Sequence, residues 1–284
     1  MAFRQLSFAL AMIVMLQTAS AVLEELQERA DSSPNEIERV IGGTSAEQGM
    51  FPWTVALYYN NQFICTASII SPTTVLTAAH CVVLEEQLQS ADLFYGIAGN
   101  VNKSSPMVRL NFRSVTPHPD YGNLQNDVAI FKTVDEIPLG ENISPICIAG
   151  PDAGSLDYKR VTAMGWGTTS RSRIAQPIPD ILQFVHQRVV PNNQCSLLFY
   201  FGQLADTGLC AGGLFRGICN GDSGGPLVYF PSGQDPVEVG IASYINALVG
   251  CGFIGPAVFT RVSSYYDFIM QTAGDGQVCT VSVP

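Results

Sequence analysis

Histidine is scarce in this chain, with three in 284 residues, at positions 80, 118 and 186. The eight cysteines form no Cys-x-x-Cys pair and no Cys/His ligand spacing, so no zinc site or other metal site is expected. Charge is also sparse. Charged residues make up 13% of the chain, and 14 Lys/Arg face 24 Asp/Glu, giving a net charge of −10 with no basic cluster. That balance argues against nucleic acid as a partner. No internal repeat is visible. The one long apolar run, Phe8 to Leu16, falls well short of the ~20 residues that span a bilayer, so no membrane association is expected. What the chain does have is 47% apolar residues, which excludes a disordered polymer, and 26 glycines with 17 prolines, which suit many turns between short strands.

The amino terminus has the layout of a secretory signal. Arg4 precedes the apolar run, and Ala19-Ser20-Ala21 supplies small residues for cleavage. A membrane anchor is the competing reading, and the shortness of the run weighs against it. Residues 1–21 are therefore assigned as a signal peptide and the protein as secreted and extracellular. Residues 22–39, VLEELQERADSSPNEIER, contain neither aromatic residue nor cysteine and end in Arg39. The composition then changes abruptly at Val40. This stretch reads as a removable activation segment; an ordinary linker has the same composition. An even set of cysteines can pair in an oxidising compartment, and Asn102 and Asn142 lie in glycosylation sequons.

From Val40 onward the pattern is one of strands and turns. The stretch TVALYYNNQFICTASII holds two β-prone runs joined by Asn60-Asn61, a strong hairpin signal. Further strand-like runs are DVAIFK, RVTAMGW, PLVYF, VEVGIASY and AVFTRV. One helix is predicted, over Ser263 to Ala273, with Tyr265, Phe268 and Ile269 at helical spacing. Many short strands and one late helix give an all-β barrel or sandwich.

Three motifs carry chemistry. LTAAHCVV places His80 beside Cys81, NDVAIFK places Asp127 at the entrance of an apolar strand, and CNGDSGGPLV places Ser223 in a glycine-rich turn. Singly, each has a plain structural explanation: a packed histidine, an Asn-Asp turn, a glycine loop. Asp222 adjoins Ser223, but neighbouring side chains point in different directions, so it is a poor base for that hydroxyl. His118, between two prolines, and His186, in a strand, read as structural or exposed.

Taken together and in the order His, Asp, Ser, these motifs resemble those of the trypsin/chymotrypsin family of serine proteases, along with RVIGG, FPW, MGWG and FTRV. The likeness runs from Val40 to about Gln271 and is nearest to arthropod chymotrypsin-like enzymes of the brachyurin type. It implies an all-β fold of two six-stranded antiparallel β-barrels with the active site between them and a C-terminal helix. The first barrel would occupy about residues 40–150, the second about 151–262, and the helix and tail 263–284, within a protease domain of 40–284.

The resemblance also implies roles. His80, Asp127 and Ser223 would be the catalytic triad, with the N–H groups of Gly221 and Ser223 as the oxyanion hole. Cleavage after Arg39 would free the Val40 amino group to pair with Asp222. Family-like spacing pairs Cys65 with Cys81, Cys195 with Cys210, and Cys219 with Cys251, leaving Cys147 for Cys279. A bridge found in many relatives is missing, its two positions being Val161 and Tyr229. The substrate pocket would be lined by Gly217, Ile218, Ser243, Tyr244, Ile245 and Ala257. With no acid among them, the preference implied is for apolar residues, chymotrypsin- or elastase-like. Thr66 and Ala67 stand where the family usually has two glycines, and are expected to narrow the leaving-group side of the cleft. No cofactor or calcium is expected. The implied partners are protein or peptide substrates, a trypsin-like activating protease and protein protease inhibitors, and the protein would be a monomer. The alternative is a non-catalytic homologue acting as a binding or regulatory protein.

Overall fold

The computed structural model describes residues 43–168, 178–198, 204–213, 217–245, 251, 255–274 and 276–283. The signal, the activation segment, Arg39 and Val40 therefore lie outside the described residues. Six strands close the first barrel: β1 (Thr54–Tyr59), β2 (Gln62–Ser71), β3 (Thr74–Thr77), β4 (Phe94–Ala98), β5 (Val108–Pro117) and β6 (Ala129–Thr133). They pair antiparallel in the order β1-β2-β3-β6-β5-β4 and back to β1. The hairpin between β1 and β2 turns on Asn60 (φ 47°) and Asn61 (φ 66°), the left-handed pair that matches strand twist.

The second barrel contains β7 (Arg160–Gly165), β8 (Gln183–Val190), β9 (Gly208–Gly212), β10 (Pro226–Tyr229), β11 (Val237–Tyr244) and β12 (Pro256–Arg261). Its order, β7-β8-β9-β12-β11-β10 and back to β7, repeats that of the first. The sequence shows no repeat, because a barrel constrains only the alternation of inward and outward residues and leaves their identities open. Val161 and Tyr229, the positions of the missing bridge, are direct partners across β7 and β10.

Two short strands cross the expected barrel boundary. Thr44–Ser45 pairs with β8, and Cys147–Ala149 pairs in parallel with β11, although both fall within the stretch assigned to the first barrel. Cys147–Ala149 also pairs with Thr280–Val281, and a Cys147–Cys279 disulfide fastens the tail there. The remaining disulfides join Cys65 to Cys81, Cys195 to Cys210 and Cys219 to Cys251.

Two helices are present among the described residues. A seven-residue helix, α1 (Asn192–Leu198), was not anticipated. Its polar opening, NNQ, has weak helix propensity, and its length hides any period. The expected late helix starts as a 3-10 turn over Val262–Tyr265 and continues as α2 (Tyr266–Ala273). Gly274 (φ 64°) ends it in the left-handed conformation, with its N–H on the Met270 carbonyl. No helix among the described residues is long and apolar enough to cross a membrane.

Candidate active site

The site forms where loops of the two barrels meet. Strand β3 ends at Thr77, and a 3-10 turn over Ala79–Cys81 follows, presenting His80 with its side chain 22% exposed. The Cys65–Cys81 disulfide pins that turn to β2. Asp127 enters β6 completely buried. One of its oxygens accepts from the His80 backbone N–H at 2.9 Å, and the other lies 2.8 Å from His80 Nδ1. A buried carboxylate needs such partners, and it has one more from across the cleft: Ser243 Oγ donates to Asp127 at 2.5 Å. Thr260 Oγ1 adds a bond to the Asp127 carbonyl at 2.8 Å. Ser243, expected in the substrate pocket, thus reaches the carboxylate from β11. No sequence spacing signals that contact, because 116 residues separate the two.

The serine loop lies opposite. Each carbonyl from Cys219 to Ser223 accepts a hydrogen bond, in turn from Asp222 N, Thr168 N, Thr66 Oγ1, Gly225 N and Thr66 N. The N–H groups of Asp222, Gly224 and Gly225 are likewise engaged. Among the described residues, the N–H groups of Gly221 and Ser223 donate to nothing within this loop. Gly221 has φ +99°, and a Cβ there would lie 3.0 Å from Gly167 Cα and 3.1 Å from Phe63 Cε1, so conformation and space both call for glycine. Ser223 is half-buried. No hydrogen bond joins its hydroxyl to His80 Nε2 among the described residues; such contacts often tighten only when substrate binds.

Asp222 is turned away from this hydroxyl. Its carboxyl is buried and accepts from Gly167 N and Cys219 N, each at 2.8 Å. Burial pushes its pKa up to about 6, against the lowering effect of the Cys219 and Gly167 N–H groups. Gly165 and Gly167 make this possible, since a Cβ on either would lie 2.4 Å from the carboxyl.

The expected pocket residues divide into two groups. Ile218 and Ala257 are buried in the apolar cluster of the second barrel, with Ile245 packed against it and Gly217 buried beside Ile218. Ser243 and Tyr244 instead line a cavity of about 200 Å³ that also touches Leu124, Leu204, Val258 and Phe259 and has no charged residue in its wall among the described residues. The expectation that Thr66 and Ala67 narrow the cleft is not met. Both are completely buried, because the Thr66 side chain turns inward to Gly221. The other histidines have partners elsewhere: His118 meets Tyr265 edge-on and Phe268 at a tilt, and His186 meets Thr162 Oγ1 at 2.9 Å. Asn102 and Asn142 are half-exposed.

A family model described as Trypsin matches residues 40–269. The chain is 32% identical over 281 residues to serine protease SP24D of Anopheles gambiae, a match covering 93% of this chain and 95% of that protein. It is 35% identical over 249 residues to venom serine protease Bi-VSP of Bombus ignitus, covering 81% and 67%. Transmembrane protease serine 11B of Homo sapiens is 31% identical over 242 residues, covering 83% of this chain and 56% of that protein.

Proposed function

Because the chain belongs to the trypsin family and is a serine endopeptidase, we propose that His80, Asp127 and Ser223 are its catalytic triad and that Gly221 and Ser223 form its oxyanion hole. The reading rests on one observation. In the loop around Ser223 the two N–H groups without an acceptor among the described residues are those a tetrahedral oxyanion would use, and the loop packs at Gly224 against Thr77 and Ala78, the segment leading into a histidine already held by a buried carboxylate. In that arrangement His80 Nε2 takes the Ser223 proton as Oγ attacks the scissile carbonyl, then returns it to the leaving amine. Asp127, through Nδ1, fixes the tautomer and stabilises the imidazolium. Water repeats the sequence on the acyl-enzyme.

The protein is secreted as a zymogen in this proposal: residues 1–21 are removed on export, and a trypsin-like protease cleaves after Arg39. The support is Asp222, a buried carboxyl with no cation against it among the described residues. A liberated Val40 ammonium is the partner that such a group lacks, and one that would hold it ionised. The substrate preference is apolar: among the described residues, neither the buried pocket residues Gly217, Ile218 and Ala257 nor the wall of the cavity at Ser243 and Tyr244 carries a charge. Protein protease inhibitors are the expected regulators of such a monomer.

A serine-directed peptidyl phosphonate tests this. The full chain treated with trypsin should be labelled at Ser223 and should cleave peptides after apolar residues. Arg39→Gln should stay unlabelled after the same treatment. Asp127→Asn should lower kcat about 10⁴-fold with the fold intact. Full activity of secreted Arg39→Gln would refute the zymogen reading. Strong cleavage after Arg or Lys would refute the pocket assignment.

A further inference from the structure

Thr66 stands where the family resemblance implies a glycine, and the structure gives its hydroxyl a job. The residue lies on β2, with no exposure to solvent. Its backbone N–H donates to the Ser223 carbonyl at 2.9 Å, and its Oγ1 donates to the Gly221 carbonyl at 2.9 Å. Its own carbonyl accepts from Thr77 Oγ1 at 3.1 Å, which ties it to the end of the strand that leads into the His80 turn. One residue of the first barrel thus grips the serine loop at two points and touches the strand that carries the histidine.

We infer that Thr66 is a positioning residue for the oxyanion donors, an inference that rests on the assignment of Gly221 and Ser223 to that role. The Gly221–Asp222 peptide unit is held at its carbonyl by Thr66 Oγ1 and at its N–H by the Cys219 carbonyl. The preceding unit, which carries the Gly221 N–H, is held at the Asn220 carbonyl by Thr168 N at 2.7 Å. Gly221 is the hinge between these two planes, and glycine offers little resistance of its own to rotation. Three of the five residues from 221 to 225 are glycines, so the direction of the free N–H groups depends on restraints from outside the loop. Of the five donors to the carbonyls of residues 219–223, four are backbone N–H groups that any residue supplies. The fifth is the Thr66 hydroxyl, the one donor among these five that depends on side-chain identity. Without it the Gly221 carbonyl loses its partner, and the Gly221–Asp222 plane is held at its N–H alone.

The consequence falls on the transition state. Donors aimed at an oxyanion act as charge develops there, so loosening them lowers kcat and leaves ground-state binding in place. Removing a donor outright costs about 10²–10³-fold in related chemistry. Loss of a single restraint behind it should cost roughly tenfold, the factor represented by one net hydrogen bond of ordinary strength.

The test uses the full chain, activated with trypsin, as wild type, Thr66→Val and Thr66→Ser. Valine keeps the shape and removes the hydroxyl, while serine keeps the hydroxyl and removes the methyl. The expected result for Thr66→Val is a roughly tenfold fall in kcat at unchanged KM, with a matching fall in affinity for a peptide aldehyde that mimics the tetrahedral adduct. Thr66→Ser should recover most of the loss. Thr66→Ala against Thr66→Ser repeats the comparison with smaller side chains if valine does not fold. Wild-type kcat in Thr66→Val would overturn the inference, and so would equal losses in the valine and serine variants, which would mark a packing role. Failure of the phosphonate to label wild-type Ser223 is a separate result that would remove the protease reading itself.

Discussion

In the first barrel, the buried ammonium of Lys132 donates to Thr73 Oγ1 and Thr74 Oγ1 at 2.8 Å and to the Ala273 carbonyl at 2.6 Å. In the second, the buried carboxyl of Glu238 on β11 has no hydrogen bond of proper geometry among the described residues. The Ser68 hydroxyl opposes it from the first barrel and offsets only part of the effect of burial, which pushes its pKa up to about 8. The two carboxyls of the candidate site repeat the contrast. Asp127 has donors from His80 and Ser243, while Asp222 has backbone N–H groups alone and is raised to about 6. Two barrels with one strand order thus differ in electrostatics. The first holds its charges in a finished network. The second keeps two carboxyls, Asp222 and Glu238, whose ionised forms burial disfavours.

Glu238 offers the largest way to break that comparison. Its folded pKa, about 8, lies above the ordinary value of 4.5, so the folded state binds the proton more tightly than the unfolded state. The stabilisation is therefore complete below pH 4.5 and is lost as pH rises through the interval to 8. The loss should amount to a few kcal/mol, since each unit of difference is about 1.4 kcal/mol. Glu238→Gln should remove it: urea unfolding from pH 5 to 9 should show wild-type stability falling and the variant nearly flat, with the variant the more stable at pH 9. Parallel curves would mean that Glu238 finds a partner for its ionised form.

The next test addresses the first barrel. Lys132→Met fills similar volume but strips three acceptors of their donor, one of them the last carbonyl of α2. The expected cost is about 2–3 kcal/mol in thermal or urea unfolding, with most of it appearing as early loss of the C-terminal helix in amide exchange. An unchanged midpoint would put Lys132 on a par with Glu238 and erase the distinction between the barrels.

The parts of this molecule that were legible in the sequence are those that local chemistry dictates. Asn60-Asn61 fixes a hairpin because only a few residues tolerate two left-handed positions in succession. The order of the His, Asp and Ser motifs carried the family, and with it both barrels. What stayed hidden is set by contacts between distant strands. Ser243 reads as a pocket residue until β11 brings it to Asp127, and Thr66 reads as a bulky rim until β2 turns it inward. Glu238 looks like an ordinary polar residue in VEVGIASY, where alternation predicts a solvent face. That face is covered by the first barrel, and the period of a strand says nothing about what lies against it. The short strands at Thr44–Ser45 and Cys147–Ala149 escaped for the same reason, since each pairs across the barrel boundary that the family resemblance implies.

Gln187 gives the smallest and most discriminating test. It sits on β8 opposite Val161, 4% exposed, and both atoms of its carboxamide lack a partner among the described residues. Val185 and Val189, on the same side of the strand by the two-residue alternation, belong to the apolar cluster of the second barrel. The amide has therefore given up water without a replacement, which is unfavourable by about 1–3 kcal/mol, whereas a leucine of similar size would gain from the same surroundings. Gln187→Leu should raise stability by about 1 kcal/mol and leave kcat and KM unchanged, because β8 carries none of the residues that contact the reacting atoms. The first barrel leaves the Thr133 hydroxyl unpartnered too among the described residues, but a lone hydroxyl removes less hydration than a carboxamide. Thr133→Val should accordingly shift the unfolding midpoint by less than Gln187→Leu does. A larger gain at Thr133 would place the unmet polar cost in the first barrel and reverse the comparison.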